Sequence, residues 1–502
     1  CWHVAELRFY KDGGDNPRYA MIPAEIRQGL TDAITKADAL ASDSTATQAD
    51  YDALEAAIKA FKAAYPDDSE LQELLADAKS QVEAEGMVGT GWGQFPADAQ
   101  STLKTTVDAV STYVEANQPL TLAAIAEQLQ TLRAAISVFN SKLIVPEDGS
   151  IVRIKSVSVD GETGEQNDQY DNFVYAANAD TTQNLKWGYK DDENKETRLD
   201  AVWQLQKQAD GTFAIKNLAT GRYIANLYDG VEDKDEVALS TALASTDKVS
   251  TVTLVSGKKA GVFNFQLAEG RYLNAQPAGS MVNWSGSQAS SLFAIEEVSN
   301  DIVSNGLTYD VKANIYQVVT LPFEIAYVEP TPYKLLGQKD GKAQLQLYSE
   351  DETIPAGTPF IVKTDDDINY LQIGFVAADA KELAASTYVY DHVNQNGMVG
   401  TLNALKLNAG LGLLLDGVIK NSVANTSLAA GSGYFREIPE TDQDGDVQLD
   451  ITEVINGINN AVISNTKAGA IYTISGVKVR ANSTEGLPKG LYIVNGKKVY
   501  VK

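Results

Sequence analysis

The stretch AVWQLQKQADGTFAIKNLATGRYIAN, residues 201–226, reads as three short strands joined by two turns. Trp203 and Leu205 alternate, Asp210-Gly211 marks a tight hairpin, Phe213 and Ile215 alternate again, and Thr220-Gly221 turns the chain into Tyr223-Ile224. The same order returns as GVFNFQLAEGRYLNAQ at residues 261–276. There Gly270-Arg271-Tyr272-Leu273 stands where Gly221-Arg222-Tyr223-Ile224 stood, a shift of 272 − 223 = 49 residues. A more diverged copy precedes both, with IVRIKSVSV from Ile151 and NFVYAAN from Asn172. Phe173 lies 223 − 173 = 50 residues before Tyr223, nearly the same step.

Three strand-rich copies of this size cannot each bury a face alone, but stacked about a pseudo-threefold axis they share one core. The order Trp, Asp-Gly-x-aromatic, then Gly-Arg-Tyr resembles the ricin-type β-trefoil over residues 147–299, a family that commonly binds sugars. The Gln-x-Trp that closes each repeat in that family is replaced here by Trp203-Gln204-Leu205 and Phe293-Ala294-Ile295. The resemblance implies a shallow sugar pocket after each Gly-Arg-Tyr position, with a ring stacked on the sugar and amides or carboxylates on its hydroxyls. The first repeat offers Asn178, Asp180, Trp187 and Tyr189; the second offers Asn226, Tyr228 and Asp229; the third offers Asn274, Asn283, Trp284 and Gln288. Trp187 and Trp284 stand out, because a surface Trp is uncommon without a use. The competing expectation is that these rings cap the mouth of a barrel.

At 502 residues the chain is long enough for three or four domains. Its 44% hydrophobic share is that of globular protein, and no run of 18 apolar residues occurs. The net charge of −26 disfavours nucleic acid and anionic lipid as partners. One Cys excludes an intramolecular disulfide framework, and two His far apart argue against a His-built zinc site or a Ser-His-Asp triad.

Residues 23–146 carry the period of helices. Tyr51, Leu54, Ile58, Phe61 and Tyr65 share one face, as do Leu122, Ile125, Leu129, Leu132, Ile136, Phe139 and Leu143. The pattern predicts five helices, at about 23–41, 47–65, 69–84, 97–116 and 121–144. Ser69 and Gln72 have capping-box spacing, and Pro96 suits a first turn. LEAAIKAF at 54–61 matches LRAAISVF at 132–139, an internal repeat. The segment resembles Ala-rich helical spacer bundles of secreted bacterial glycan-processing proteins. The Gly-rich loop GMVGTGWGQF, 86–95, lacks the Gly-Lys-Ser/Thr of a phosphate loop and is expected to plug the end of the bundle. Upstream, CWHVAELRFY resembles the closing strand of a discoidin-like domain, so residues 1–22 are expected to be the remnant of a longer chain. Acylation of Cys1 as a lipoprotein start is the alternative.

Residues 300–440 read as all-β, with YQVVTLPFEIAYV, AQLQLYS and PAGTPFIVKTD resembling a β-sandwich module of secreted Bacteroidetes proteins. Within residues 441–464, Asp442, Asp444, Asp446, Gln448, Asp450 and Glu453 fall at positions 1, 3, 5, 7, 9 and 12 of a calcium loop, with Leu449 at the apolar eighth. Val447 stands where such a loop needs Gly for its sharp turn. The favoured expectation is an acidic linker running into a strand, with Val447, Leu449 and Ile451 on one side. Residues 465–502 contain two hairpins, one closed by Asn495-Gly496, and resemble the C-terminal sorting domain that directs Bacteroidetes proteins through type IX secretion.

The fold class expected is multidomain α and β: helical bundle, β-trefoil, β-sandwich and a small C-terminal β module. The functional expectation is a non-catalytic accessory region of a secreted or cell-surface glycan-processing protein, with glycan and secretion machinery as partners. It has no catalytic residues and no required cofactor, calcium being optional. A ligand-free spacer is the first alternative. A carboxylate-dependent glycoside hydrolase is the second, since that chemistry needs only two carboxylates about 5–10 Å apart.

Overall fold

The computed structural model describes residues 16–41, 45–159, 165–177, 185–226, 237–240, 251–267, 270–299, 303, 305–339, 341–390, 392–436, 447–451, 471–473, 478–479, 487, 490–494 and 497–501. It combines N-terminal helices with sheets that are antiparallel apart from the parallel pairing of Lys342–Leu347 with Val447–Ile451.

Six helices open the described chain: α1 (Pro17–Met21), α2 (Ala24–Leu40), α3 (Gln48–Ala64), α4 (Ser69–Glu83), α5 (Ala97–Ala116) and α6 (Leu122–Asn140). Residues 17–22 therefore belong with the helices rather than with a β remnant, because Asn16 accepts from the Arg18 amide to start α1 and Ile22 is buried with Leu30, Ile34 and Phe61. Residues 1–15 lie outside the described residues. The capping box forms at Thr47, whose amide donates to Asp50 Oδ2 at 3.0 Å, and not at Ser69, whose amide donates to Asp67. The repeat is visible in burial, since Phe61 and Phe139 end matching octapeptides and both are core. Helices α4, α5 and α6 close a bundle around Leu71, Leu75, Leu103, Val107, Leu132 and Phe139.

The loop after α4 joins the bundle to the β-strands on its C-terminal side. Phe95 stacks on Phe139 with ring centroids 3.9 Å apart, so it plugs the bundle as expected. Trp92 turns the other way and packs against the next domain's core. Its carbonyl accepts from Gly261 N at 2.8 Å. Gly93 adopts φ +75°, and a Cβ there would sit 2.7 Å from Gly261 N. Only glycine permits so close an approach.

Twelve strands come next: β1 (Ile151–Ser156), β2 (Phe173–Ala176), β3 (Leu185–Gly188), β4 (Trp203–Lys207), β5 (Phe213–Asn217), β6 (Tyr223–Asn226), β7 (Val237–Ser240), β8 (Thr253–Ser256), β9 (Val262–Gln266), β10 (Tyr272–Ala275), β11 (Met281–Trp284) and β12 (Leu292–Glu297). Pairing runs β1–β4–β5, crosses to the β8 side through the Phe213–Val252 bridge, and returns β8–β9–β12–β1. That circuit is a closed six-stranded barrel. The other six strands form hairpins β2–β3, β6–β7 and β10–β11, attached to β1, β5 and β9 respectively. Six barrel strands and three hairpins in threefold order make a β-trefoil. The alternating residues of the opening stretch fill the barrel: Trp203, Leu205, Phe213 and Ile215 are core, with Phe263, Phe265 and Phe293 from later repeats. Trp203 Nε1 donates to Val174 O at 2.9 Å, which satisfies the one polar atom of a fully buried ring. Gly211 takes φ +87° at the anticipated hairpin, and Asp210 accepts from the Thr212 amide at 3.0 Å.

The sheets beyond residue 300 do not stand apart from the trefoil. Ile151, Leu199, Val202 and Leu218 share one core with Leu307, Phe323, Phe360 and Leu371. A ten-stranded sheet includes Val447–Ile451, paired with Lys342–Leu347 on one side and Val418–Asn421 on the other. The expected linker thus contains a sheet strand, and its backbone at Gln448 and Asp450 is extended rather than looped. Asp442, Asp444, Asp446 and Glu453 lie outside the described residues. At the end of the chain, Ile471–Thr473, Lys478–Val479, Gly490–Val494 and Lys497–Val501 form a four-stranded antiparallel sheet. Val494 pairs with Lys497, the register expected for a hairpin at Asn495-Gly496, although those two residues are outside the described set. Among the described residues no helix is long and apolar enough to cross a membrane.

Candidate functional site

Antiparallel register puts directly opposed side chains on one face of a sheet. That rule extracts one cross-strand row from each trefoil repeat. In the first, Lys155 opposes Phe173 and Phe173 opposes Gly188. In the second, Lys216 opposes Tyr223 and Tyr223 opposes Ser240. In the third, Thr253 opposes Gln266, Gln266 opposes Tyr272 and Tyr272 opposes Trp284. The equivalent positions are therefore Lys155, Lys216 and Gln266, then Phe173, Tyr223 and Tyr272, then Gly188, Ser240 and Trp284.

Chemistry separates the three rows. In the first, Phe173 is buried, and Lys155 is held by Glu296 at 2.7 Å and Asp171 at 3.1 Å. In the second, Lys216 Nζ lies 3.8 Å from the centre of the Tyr388 ring and donates to Ala384 O at 2.9 Å. Burial pushes that ammonium down to about 8. Tyr388 and Tyr390 donate to the carbonyls of Leu218 and Gly221 at 3.0 and 2.6 Å, and Arg222 donates to Leu402 O at 2.7 Å and to Asn403 Oδ1. The Gly-Arg-Tyr position of the second repeat is thus occupied by the following domain. The third row is uncharged and has solvent on it. Thr253 is exposed and Gln266, Tyr272 and Trp284 are half-buried, while their strand neighbours Leu254, Phe265, Leu273 and Asn283 are buried. The Gln266 side chain makes no hydrogen bond among the described residues.

Most of the residues singled out by sequence are placed elsewhere. Trp187 donates from Nε1 to Gln276 O at 2.7 Å and packs against the barrel core, so it ties the first hairpin to the third. Tyr189 takes φ +73°, donates to Asp200 Oδ2 at 3.0 Å and stacks on Arg198, whose guanidinium carbon is 3.5 Å from the ring centre. Burial raises its hydroxyl well above the ordinary range, so it remains a donor. Asn274 is fully buried, donates to Ser291 Oγ at 2.9 Å and accepts from Gln276. Asn283 is fully buried as well, with Oδ1 accepting from Arg271 Nε at 2.9 Å. Asn283 shares the core-facing side of the third hairpin with Leu273, whereas Asn274 shares the side of Tyr272 and Trp284 and is buried there by its bonds to Ser291 and Gln276. Of the two candidates on that side, Asn274 and Trp284, only Trp284 keeps contact with solvent. Asn226 ends β6 and its side chain is outside the described residues, as are Asn178, Asp180, Tyr228 and Asp229. Tyr272 and Gln266, which complete the row, are not among the sequence candidates. Aligning the repeats on their Tyr positions exposes the change from Lys216 to Gln266 six or seven residues upstream.

No family model matches the chain, and no curated protein does. Similar solved structures do exist. One is a designed threefold-symmetric protein, ThreeFoil, at 13% identity, covering 29% of this chain and 96% of that one with a TM-score of 0.22. SeviL bound to asialo-GM1 saccharide gives 15% identity, 30% and 99% coverage and a TM-score of 0.21. The Polyporus squamosus lectin bound to a human-type influenza-binding epitope gives 12% identity, 32% and 53% coverage and a TM-score of 0.24. The strand pairing, and not these likenesses, carries the trefoil assignment.

Proposed function

We propose that the chain is a non-catalytic, glycan-binding accessory region of a secreted or cell-surface protein, and that the third trefoil repeat holds the sugar. The observation that carries this reading is the Thr253–Gln266–Tyr272–Trp284 row. Two adjacent rings offer an apolar platform for the C–H face of a pyranose, and the flanking amide and hydroxyl offer directional bonds to its hydroxyls. Shallow sites of this kind bind weakly one at a time. Trp284→Ala is expected to abolish retention on a polysaccharide gel while moving the melting temperature little, since part of the ring is already in water. A loss of several kcal/mol of stability, in the range of a core Trp near 3–5 kcal/mol, with retention unchanged, would make the ring structural.

The C-terminal four-stranded sheet supports a second element of the proposal, an export address. Its hairpin Gly490–Val494 and Lys497–Val501 completes a sheet paired only within residues 471–501 among the described residues. Deleting residues 465–502 is expected to leave the bundle and trefoil folded and to strand the protein inside the producing cell. Normal surface display of the deleted form would refute this role.

A further inference from the structure

We infer that the glycan site continues beyond the third row into a cleft between trefoil and helical bundle, and that this extension selects an acidic polysaccharide chain. The inference rests on the glycan-binding reading above. The two regions are contiguous along β8. Thr253 and Val255 point out of the barrel on the same side, about 6.6 Å apart at strand rise, while Leu254 between them is core. Thr253 belongs to the aromatic row and Val255 lines the cleft.

The cleft holds about 740 Å³ and is walled by α4, the end of α6 and the β8–β9 turn. That volume lies within the range of ligand sites, which favour domain junctions. Its floor is apolar, with Met87, Phe95 and Phe139, and its lip is polar. Gln81 Oε1 is buried there and accepts no hydrogen bond from the described residues. Among the described residues the charged lining groups are Lys79, Lys258 and Glu83, two cations against one anion on a chain of net charge −26. Lys79 donates to Ser111 Oγ at 2.9 Å and has two further protons to offer.

Lys258 is the sharper signal. It sits in the left-handed region at φ +60°, where glycine or asparagine costs less. Its amide donates to Ser256 Oγ at 3.2 Å, and its ammonium has no carboxylate partner among the described residues. A strained, solvent-facing lysine at the lip of a cleft is poised for a ligand anion. A chain crossing from Trp284 over Tyr272 and Gln266 to Thr253 would reach it next.

The test compares neutral and acidic saccharides by calorimetry on the full chain, using a galactose disaccharide, a neutral galacto-hexasaccharide and a hexagalacturonate. Hexagalacturonate is expected to bind at least tenfold more tightly than the neutral hexamer at low salt, and the advantage is expected to shrink as salt rises. Lys258→Gly relieves backbone strain, so it cannot act by unfolding the turn. It is expected to weaken hexagalacturonate about fivefold and leave the disaccharide unchanged. Trp284→Ala is expected to weaken all three. Saccharide binding that responds to Trp284→Ala but not to Lys258→Gly, charge or chain length overturns the extension and leaves the site standing. Binding of none of the three saccharides overturns both.

Discussion

Arg198→Ala is expected to destabilise the protein by roughly 3–5 kcal/mol, the cost of removing one partner from a buried ionic network. Arg198 has a side chain only 4% exposed and meets three carboxylates: Asp192 at 2.8 Å, Asp200 at 3.0 Å, and Asp310 in a two-pronged contact. Its guanidinium carbon also lies 3.5 Å from the centre of the Tyr189 ring. Burial works against its charge, but Asp310 and Asp200 outweigh that and hold it protonated. Asp310 belongs to Leu307–Asp310, so the network fastens the trefoil to the adjoining sheet. Without the cation, Asp192, Asp200 and Asp310 face one another. Burial already raises the Asp200 carboxyl, against the pull of Arg198. In the variant that pull is gone, so the folded state takes up a proton at a pH where the unfolded chain has lost it. Stability of the variant should then improve as pH falls from 7 towards the ordinary carboxylate range, and its deficit should be largest at neutral pH. Arg198→Lys should recover little, because an ammonium cannot serve two carboxylates bidentately and stack as well. Denaturant unfolding at several pH values checks both points. A deficit under about 1 kcal/mol at pH 7 would show that water screens these groups.

This network also explains why part of the site is not legible in the sequence. Tyr189 and Trp187 are candidates there because they are aromatic, polar-tipped and C-terminal to the repeat motif. Those properties suit a sugar platform, and they suit equally a ring that must bury its body and satisfy one donor. Only strand register and neighbouring chain decide between them. Tyr189 is claimed by Arg198 and Asp200, and Trp187 by the carbonyl of Gln276. Asn274 and Asn283 mislead for a related reason, since an amide inside a hairpin cap and one beside a ligand have the same letter. The fold is more legible because it depends on what repeats. Alternation at Trp203, Leu205, Phe213 and Ile215 sets the barrel strands, and the step of 49 to 50 residues sets the threefold order. Helix faces at steps of three and four are clear for the same reason. Contacts between units are not periodic, so nothing in the sequence announces that the sheets after residue 300 cover the second repeat.

Gly221→Val tests that cover directly. Gly221 adopts φ +67°, and a Cβ there would lie 2.2 Å from Cδ1 of Tyr388 and 2.6 Å from the Tyr390 hydroxyl. Two costs combine. A non-glycine residue in the left-handed region loses about 1–2 kcal/mol, and a β-branched one is an outlier there. Overpacking against fixed rings adds about 1–3 kcal/mol. Tyr388 has little room to retreat, because it packs edge-on against Phe323 with centroids 5.9 Å apart and lies under the Lys216 ammonium. The cheaper response is for the two domains to part at this edge. That exposes the Leu218 and Gly221 carbonyls and returns Lys216 to water, where its charge costs nothing. The expected result is a fall in stability of about 2–5 kcal/mol, the sum of those two costs, and separate thermal transitions in place of a single one. The third row lies on a different repeat, so retention on a polysaccharide gel should survive in the folded variant. If Gly221→Val melts as the wild type does, the tyrosines do not seat on the second repeat. That repeat would then be open to a ligand, and its Tyr223 would join Tyr272 as a site residue.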